Sequence, residues 1–169
     1  MFRPSALNAF FLKKAPGLTP SARFGDENFL TMKQYTLPKT ERLYLRDAIG
    51  DLFAKGSGFM VFPYRVIYRI LGEDDPQVAR VAIMTIAPKK RFKHAVDRNR
   101  TKRICRESYR VAKLPLHEVC REHHRKLAFA LLYCDNRQIS LLEAQQRMAK
   151  IIHTLSRKVV EDEESNPQP

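Results

Sequence analysis

The chain offers no cysteine framework to build on. Its three cysteines, Cys105, Cys120 and Cys134, are odd in number and show no C-x-x-C spacing. This excludes a disulfide scaffold and reads as reduced thiols in a cytoplasmic protein. Long hydrophobic runs are also missing. The longest, LAFALLYC at 127–134, falls far short of the ~18 residues that cross a bilayer and fits a buried strand instead. The opening MFRPSALNAFFLKK carries a short apolar patch, but Asn8 interrupts it and lysines follow it. A secretory signal would need small residues there. No internal repeat, glycine-rich phosphate loop, or Ser-His-Asp or Cys-His arrangement is present.

Acidic residues are scarce as well. Lys and Arg number 31 against 18 Asp and Glu in 169 residues, a net charge of +13 with histidine neutral. Such a balance points to a polyanionic partner, most often nucleic acid. The shortage is local. Between Lys89 and Lys113 stand 11 basic residues and 2 acids, so this window holds nine of the thirteen net charges. A two-metal nuclease centre finds few carboxylate ligands in that half. With 44% hydrophobic residues, the length suits one domain with tails.

Residues 1–36 read as a disordered extension or as sequence upstream of the true start, since Met32 opens MKQYTLPKTERL. The domain is expected over 37–158, followed by an acidic disordered tail at 159–169. Within the domain, LPKTERLYLRDAIGDLFAKGSG (37–58) patterns as a helix capped by Thr40. Leu43, Ile49, Leu52 and Phe53 form its apolar stripe, and glycine ends it. FMVFPYRVIYRIL (59–71) reads as a strand, with Pro63 marking an edge or bulge. GEDDPQ (72–77) is a turn, and VARVAIMTIAP (78–88) a second strand. A helix from Ala95 to just before Pro115 follows, with a further helical segment at 116–126 and a third strand at 127–135. Ser140 and Glu143 form a capping box for a last helix carrying Leu141, Ala144, Met148, Ile151, Ile152 and Leu155. The expected order is α-β-β-α-β-α, an α+β (α/β sandwich) domain with helices on one small sheet.

The stretch RFKHAVDRNRTKRICRESYR (91–110), most of it within that helix, is the most informative segment. At about 100° per residue, Arg98, Lys102, Arg103, Arg106, Arg110 and Lys113 fall within roughly 140° around Asn99. Thr101, Ile104, Cys105, Ser108, Val111 and Ala112 gather opposite. A face that served only solubility would mix Glu with Lys to gain i,i+4 pairs. Phosphates would compensate the one-sign charge, and arginine suits them through its planar, bidentate geometry. Composition alone does not separate DNA from RNA.

The string AVDRNRTKRICRESYR, preceded by PKK (88–90), resembles the arginine-asparagine-arginine signature of the bacterial ribonuclease P protein component. The resemblance runs from about Leu37 to Leu155. It implies a ribosomal-protein-S5-domain-2-like sandwich with a left-handed β-α-β crossover through the basic helix, against the usual right-handed preference. It also implies an auxiliary subunit of a tRNA-processing endonuclease, with no catalytic residues in the chain and catalysis in the RNA. The expected partners are the catalytic RNA, bound 1:1, and the 5′ leader of precursor tRNA, with no membrane. The protein itself holds no cofactor; the Mg2+ expected for the holoenzyme sits mainly on the RNA. Carried onto this sequence, the RNA-binding residues are Lys89, Lys90, Arg98, Asn99, Arg100, Lys102, Arg103, Arg106 and Arg110. The leader cleft takes Ile49, Phe53 and Tyr68, with Ile49 replacing a frequent aromatic. Core packing is the competing reading for Phe53 and Tyr68. Tyr68 is expected to be exposed, on the strand face of Phe62 and Tyr64.

His117, Cys120 and His124 share one helical face, but a closed zinc site needs four ligands and no second Cys/His cluster exists. Polar surface, or weak RNA contact by His123, His124 and His94, is the favoured reading. Two alternatives remain open from the residues: a ribosomal or chaperone-like RNA binder without a leader cleft, and a stand-alone metal-dependent nuclease.

Overall fold

The computed structural model describes residues 36–76 and 78–165. A 3-10 turn at Lys39–Glu41 leads into α1 (Arg46–Lys55), β1 (Ser57–Val61), β2 (Tyr64–Gly72) and β3 (Val81–Ile86). Then come α2 (Ala95–Ala112), α3 (Leu114–Glu122), β4 (Arg125–Tyr133) and α4 (Leu141–Ser165). The strands form one sheet in the order β1-β2-β4-β3. Both pairings of β2 are antiparallel, while β3 and β4 run parallel.

The segment expected as one strand at 59–71 is two. Pro63 has no N–H for a ladder, and the chain reverses at Phe62 and Pro63, with Val61 paired to Tyr64. The start of the first helix also differs. Lys39–Glu41 forms only a 3-10 turn, and the Leu43 N–H donates to the Ile83 carbonyl at 3.0 Å. Leu43 is thus buried as an extended residue beside β3 and not as part of a helix. Helix α1 begins three residues later without a side-chain cap, so Thr40 does not cap it.

Parallel neighbours need a long crossover. Here it passes through α2 and α3, making the basic helix the element that joins β3 to β4, as expected. One sheet face carries α2, α3 and α4 over a core that includes Tyr64, Val66, Leu127, Phe129, Leu131 and Tyr133. The other carries α1 over Leu71, Ala82, Ala128 and Ala130. β4 is covered on both faces, which explains its unbroken apolar sequence. Its alternate alanines let α1 approach closely through Ala48 and Leu52.

Helix α4 starts where expected, with the Glu143 N–H donating to Ser140 Oγ at 3.2 Å. It does not end at 158. Val159 is fully buried, Asp162 lies 3.5 Å from Arg125, and Glu163 pairs with His123. The tail expected to be disordered from 159 is therefore helical through Ser165. Apart from Thr36, the extension expected at 1–36 lies outside the described residues, as do 166–169.

Candidate nucleic-acid interface

Beyond β3 the chain turns at Pro88, whose carbonyl accepts the N–H groups of Arg91 and Phe92 at 3.0 and 3.2 Å. Phe92 anchors this turn in the core, its ring 5.6 Å from that of Tyr133. Lys89 and Lys90 are left exposed at the tip. Arg91 reaches across to the Asn136 Oδ1 at 3.3 Å, tying the turn to the β4–α4 loop.

Helix α2 keeps a small polar-apolar face inward. The Thr101 and Ser108 hydroxyls donate to the carbonyls four residues back, at 2.9 and 2.8 Å, which removes the cost of burying them. Cys105 Sγ sits 3.7 Å from the Tyr64 hydroxyl, and burial pushes its thiol up to about 11. Outward, Asn99, Arg100 and Arg103 are exposed, with Lys102 and Arg106 half-exposed beside them. Among the described residues, no carboxylate lies within ion-pair distance of these four cations. The basic arc therefore projects from one side and is not neutralised from within.

Its margins differ from the helical-wheel expectation. Lys113 is buried, its ammonium donating to both Glu41 oxygens at 2.7 and 2.8 Å and to the Thr36 carbonyl at 2.6 Å. The segment before α1 lies over that flank of α2, which no periodicity argument includes. Arg98 donates to the carbonyls of Phe92 and Lys93 at 2.9 and 2.8 Å, bracing the turn. Arg110 is gripped by Glu107 at 2.9 and 2.5 Å, which holds that carboxyl below its ordinary range. Val111, expected inside, is exposed.

The fold adds a cation that the pattern did not flag. Arg42, paired as a bridge to Ile83, lines a hollow of about 220 Å³ with Met84, Lys102 and Arg106 along the outer edge of β3. A second hollow of about 450 Å³ places it with Arg103 and Arg110. Only a knowledge of the pairing between residues 42–43 and β3 would have found it.

On the opposite sheet face, Asp51 lies 3.1 Å from Lys55 and 3.3 Å from Arg69, pinning α1 to β2. Ile49 and Phe53 neighbour each other on one flank of α1; Ile49 is half-buried and Phe53 is 46% exposed. Tyr68 does not join them. Tyr64, Val66, Tyr68 and Ile70 alternate toward the helical layer, whereas Ile67 and Leu71 belong with α1. Tyr64 is fully buried, and Tyr68 is half-buried edge-on against Phe59 with centroids 5.8 Å apart. The expected exposed face is thus the core face, and it is Ile67, not Tyr68, that shares the α1 side of the sheet with Ile49. Cross-strand register arranges this sheet face in rows. Gly58, Ile67, Ala130 and Met84 form one; Met60, Arg65, Leu132 and Ile86 form the next.

His117, Cys120 and His124 are turned apart. His117 Nε2 lies 3.2 Å from the Tyr109 hydroxyl, Cys120 is fully buried, and His124 Nδ1 lies 2.8 Å from Glu73. Among the described residues no three His, Cys, Asp or Glu side chains converge on a common point, and no helix is long and apolar enough to cross a membrane.

The sequence model for the ribonuclease P family matches residues 37–156. The ribonuclease P protein component of Porphyromonas gingivalis W83 is 38% identical over 116 residues, covering 69% of this chain and 83% of that one. That of Chlorobium phaeobacteroides is 27% identical, covering 71% and 88%. The solved RNase P protein of Staphylococcus aureus superposes with a TM-score of 0.50 at 18% identity, covering 69% of this chain and 95% of that one, a likeness of fold. The basic helix, its place in the crossover and these matches converge: the chain belongs to the ribonuclease P protein component family.

Proposed function

We propose that this chain is the RNA-binding protein subunit of a ribonuclease P that removes the 5′ leader of precursor tRNA in the cytoplasm. The observation that carries this reading is the cationic face of α2, where Arg100, Lys102, Arg103 and Arg106 surround Asn99 with no carboxylate partner among the described residues. It docks on the catalytic RNA in a 1:1 complex. Lys89 and Lys90 reach backbone phosphates from the turn after β3, and Arg42 extends the platform around the β3 edge. Arg98 contributes by holding that turn in place. Arg110, held by Glu107, borders this platform.

The leader lies in the cleft beside α1. Phe53 supplies a ring for stacking, worth about 1–3 kcal/mol per base, while Ile49 and Ile67 give apolar contact only. Divalent cations would need clustered oxygen ligands, whereas this surface presents ammonium and guanidinium groups. The Mg2+ of the holoenzyme, and the hydrolysis it assists, therefore belong to the RNA.

Reconstitution tests the proposal. Added to a bacterial ribonuclease P RNA at low magnesium, the purified protein should restore 5′ maturation of precursor tRNA. Absence of any stimulation would overturn it. Tighter binding of precursor than of mature tRNA in that complex separates a leader-binding subunit from a general RNA binder.

A further inference from the structure

Arg65 stands alone among apolar neighbours. Cross-strand partners share a sheet face, so the register sets it in a row with Met60, Leu132 and Ile86. Met60 is 58% exposed, and Phe62 at the adjoining hairpin tip is 56% exposed. Arg69, two positions along on the same face, is held by Asp51 under α1. The guanidinium of Arg65 is exposed and makes no hydrogen bond or ion pair among the described residues. A soluble sheet surface would ordinarily offset such a cation with a cross-strand carboxylate; here both direct partners are Met60 and Leu132.

Helix α1 covers the other end of this face, over Leu71, Ala82 and Ala128. The row of Arg65 therefore forms the open end of the floor. It is also the end at which β3 leaves the sheet toward Lys89 and Lys90. A strip of apolar side chains with one guanidinium in its midst matches a single strand that presents bases and a phosphate together. The charge of the whole molecule selects an anionic chain over an apolar peptide.

We propose that Arg65 is a positioning residue for the precursor: its guanidinium holds a backbone phosphate of the single-stranded leader as the leader passes from the α1 flank toward the basic turn. This rests on the reading that the cleft takes the leader. Being a phosphate contact, it is indifferent to base identity. It sets how strongly longer leaders are preferred over short ones.

The test uses the full-length protein assembled with a bacterial ribonuclease P RNA, comparing precursors bearing a long leader, a one-nucleotide leader and no leader. Arg65→Ala should weaken binding of the long-leader precursor about tenfold, the size of one charge-assisted bond. The slope of log affinity against log salt should fall by about 0.7, the single-strand value for one phosphate. Binding of leaderless tRNA should match wild type, and Arg65→Lys should recover most of the loss. Phe53→Ala is the control for the cleft itself. If it weakens long-leader binding while Arg65→Ala leaves affinity and slope untouched, the assignment of Arg65 is overturned and the cleft stands. If both variants bind every precursor like wild type, the cleft reading falls, and the Arg65 proposal with it.

Discussion

At Lys113 the ammonium is enclosed, with 5% of its side chain exposed and Glu41 wrapped around it at 14%. Removing one member of a buried pair strands the other. Lys113→Ala should therefore cost about 3 kcal/mol in urea unfolding, while leaving the salt dependence of RNA binding unchanged. Arg103→Ala should do the reverse: stability unchanged, and the salt slope lowered by about 0.7–0.9 for one lost phosphate contact. His117, beside the same pair, adds a dependence on pH. Burial chiefly holds its pKa below the ordinary 6.5, with Lys113 and Arg80 pushing the same way and Glu41 opposing. The unfolded chain thus takes up a proton that the folded chain refuses, so stability is full above 6.5 and declines as pH falls below it. Thermal melts of wild type and His117→Gln should diverge on acidification through that range; parallel curves would count against it.

Among the elements, α1 depends on how its last turn meets β2. A Cβ added at Gly56 would lie 2.2 Å from the Leu52 carbonyl oxygen and 3.0 Å from that of Tyr68, both backbone atoms. Gly56→Ala should therefore displace α1, lower the melting temperature and weaken leader binding, with the RNA-docking face spared. Ending the chain at Lys158 should also destabilise it, because buried Val159 and the partners of Arg125 and His123 are lost. A melting temperature equal to wild type would refute that. The legibility of these elements in the sequence was uneven for identifiable reasons. Helix α2 and the inward face of α4 were plain, since 3.6-residue periodicity is local. The β1–β2 turn was hidden because Pro63 is compatible with either an edge or a reversal. The acidic run after 158 looked solvated, yet its partners are His123 at the end of α3 and Arg125 at the start of β4. Tyr68 was put on the wrong face because alternation gives two sets of residues without saying which one the helices cover.

Taken whole, the molecule places the cationic face of α2 and the apolar sheet face beside α1 around one strand edge. Met84 borders both the core beneath α1 and the hollow shared by Arg42, Lys102 and Arg106. On the proposed function, the catalytic RNA sits on α2 while the leader runs over the opposite sheet face. Cumulative neutralisation predicts that Lys102→Ala, Arg103→Ala and Arg106→Ala combined flatten the salt slope by about 2–3 units relative to wild type, with circular dichroism unchanged.

β4 lies in space between β2 and β3, but the chain reaches it only after α2 and α3. Its consequence is one of timing. During synthesis the hairpin and the basic helix emerge first, and chains leave the ribosome at about 5–20 residues per second. Until residues 125–133 arrive, β2 and β3 have no strand between them, Arg65 has only its hairpin neighbour Met60, and α2 has no finished sheet beneath it. The last strand to be translated completes the sheet beneath α1 and α2 alike, so neither face of the sheet is finished before β4 arrives.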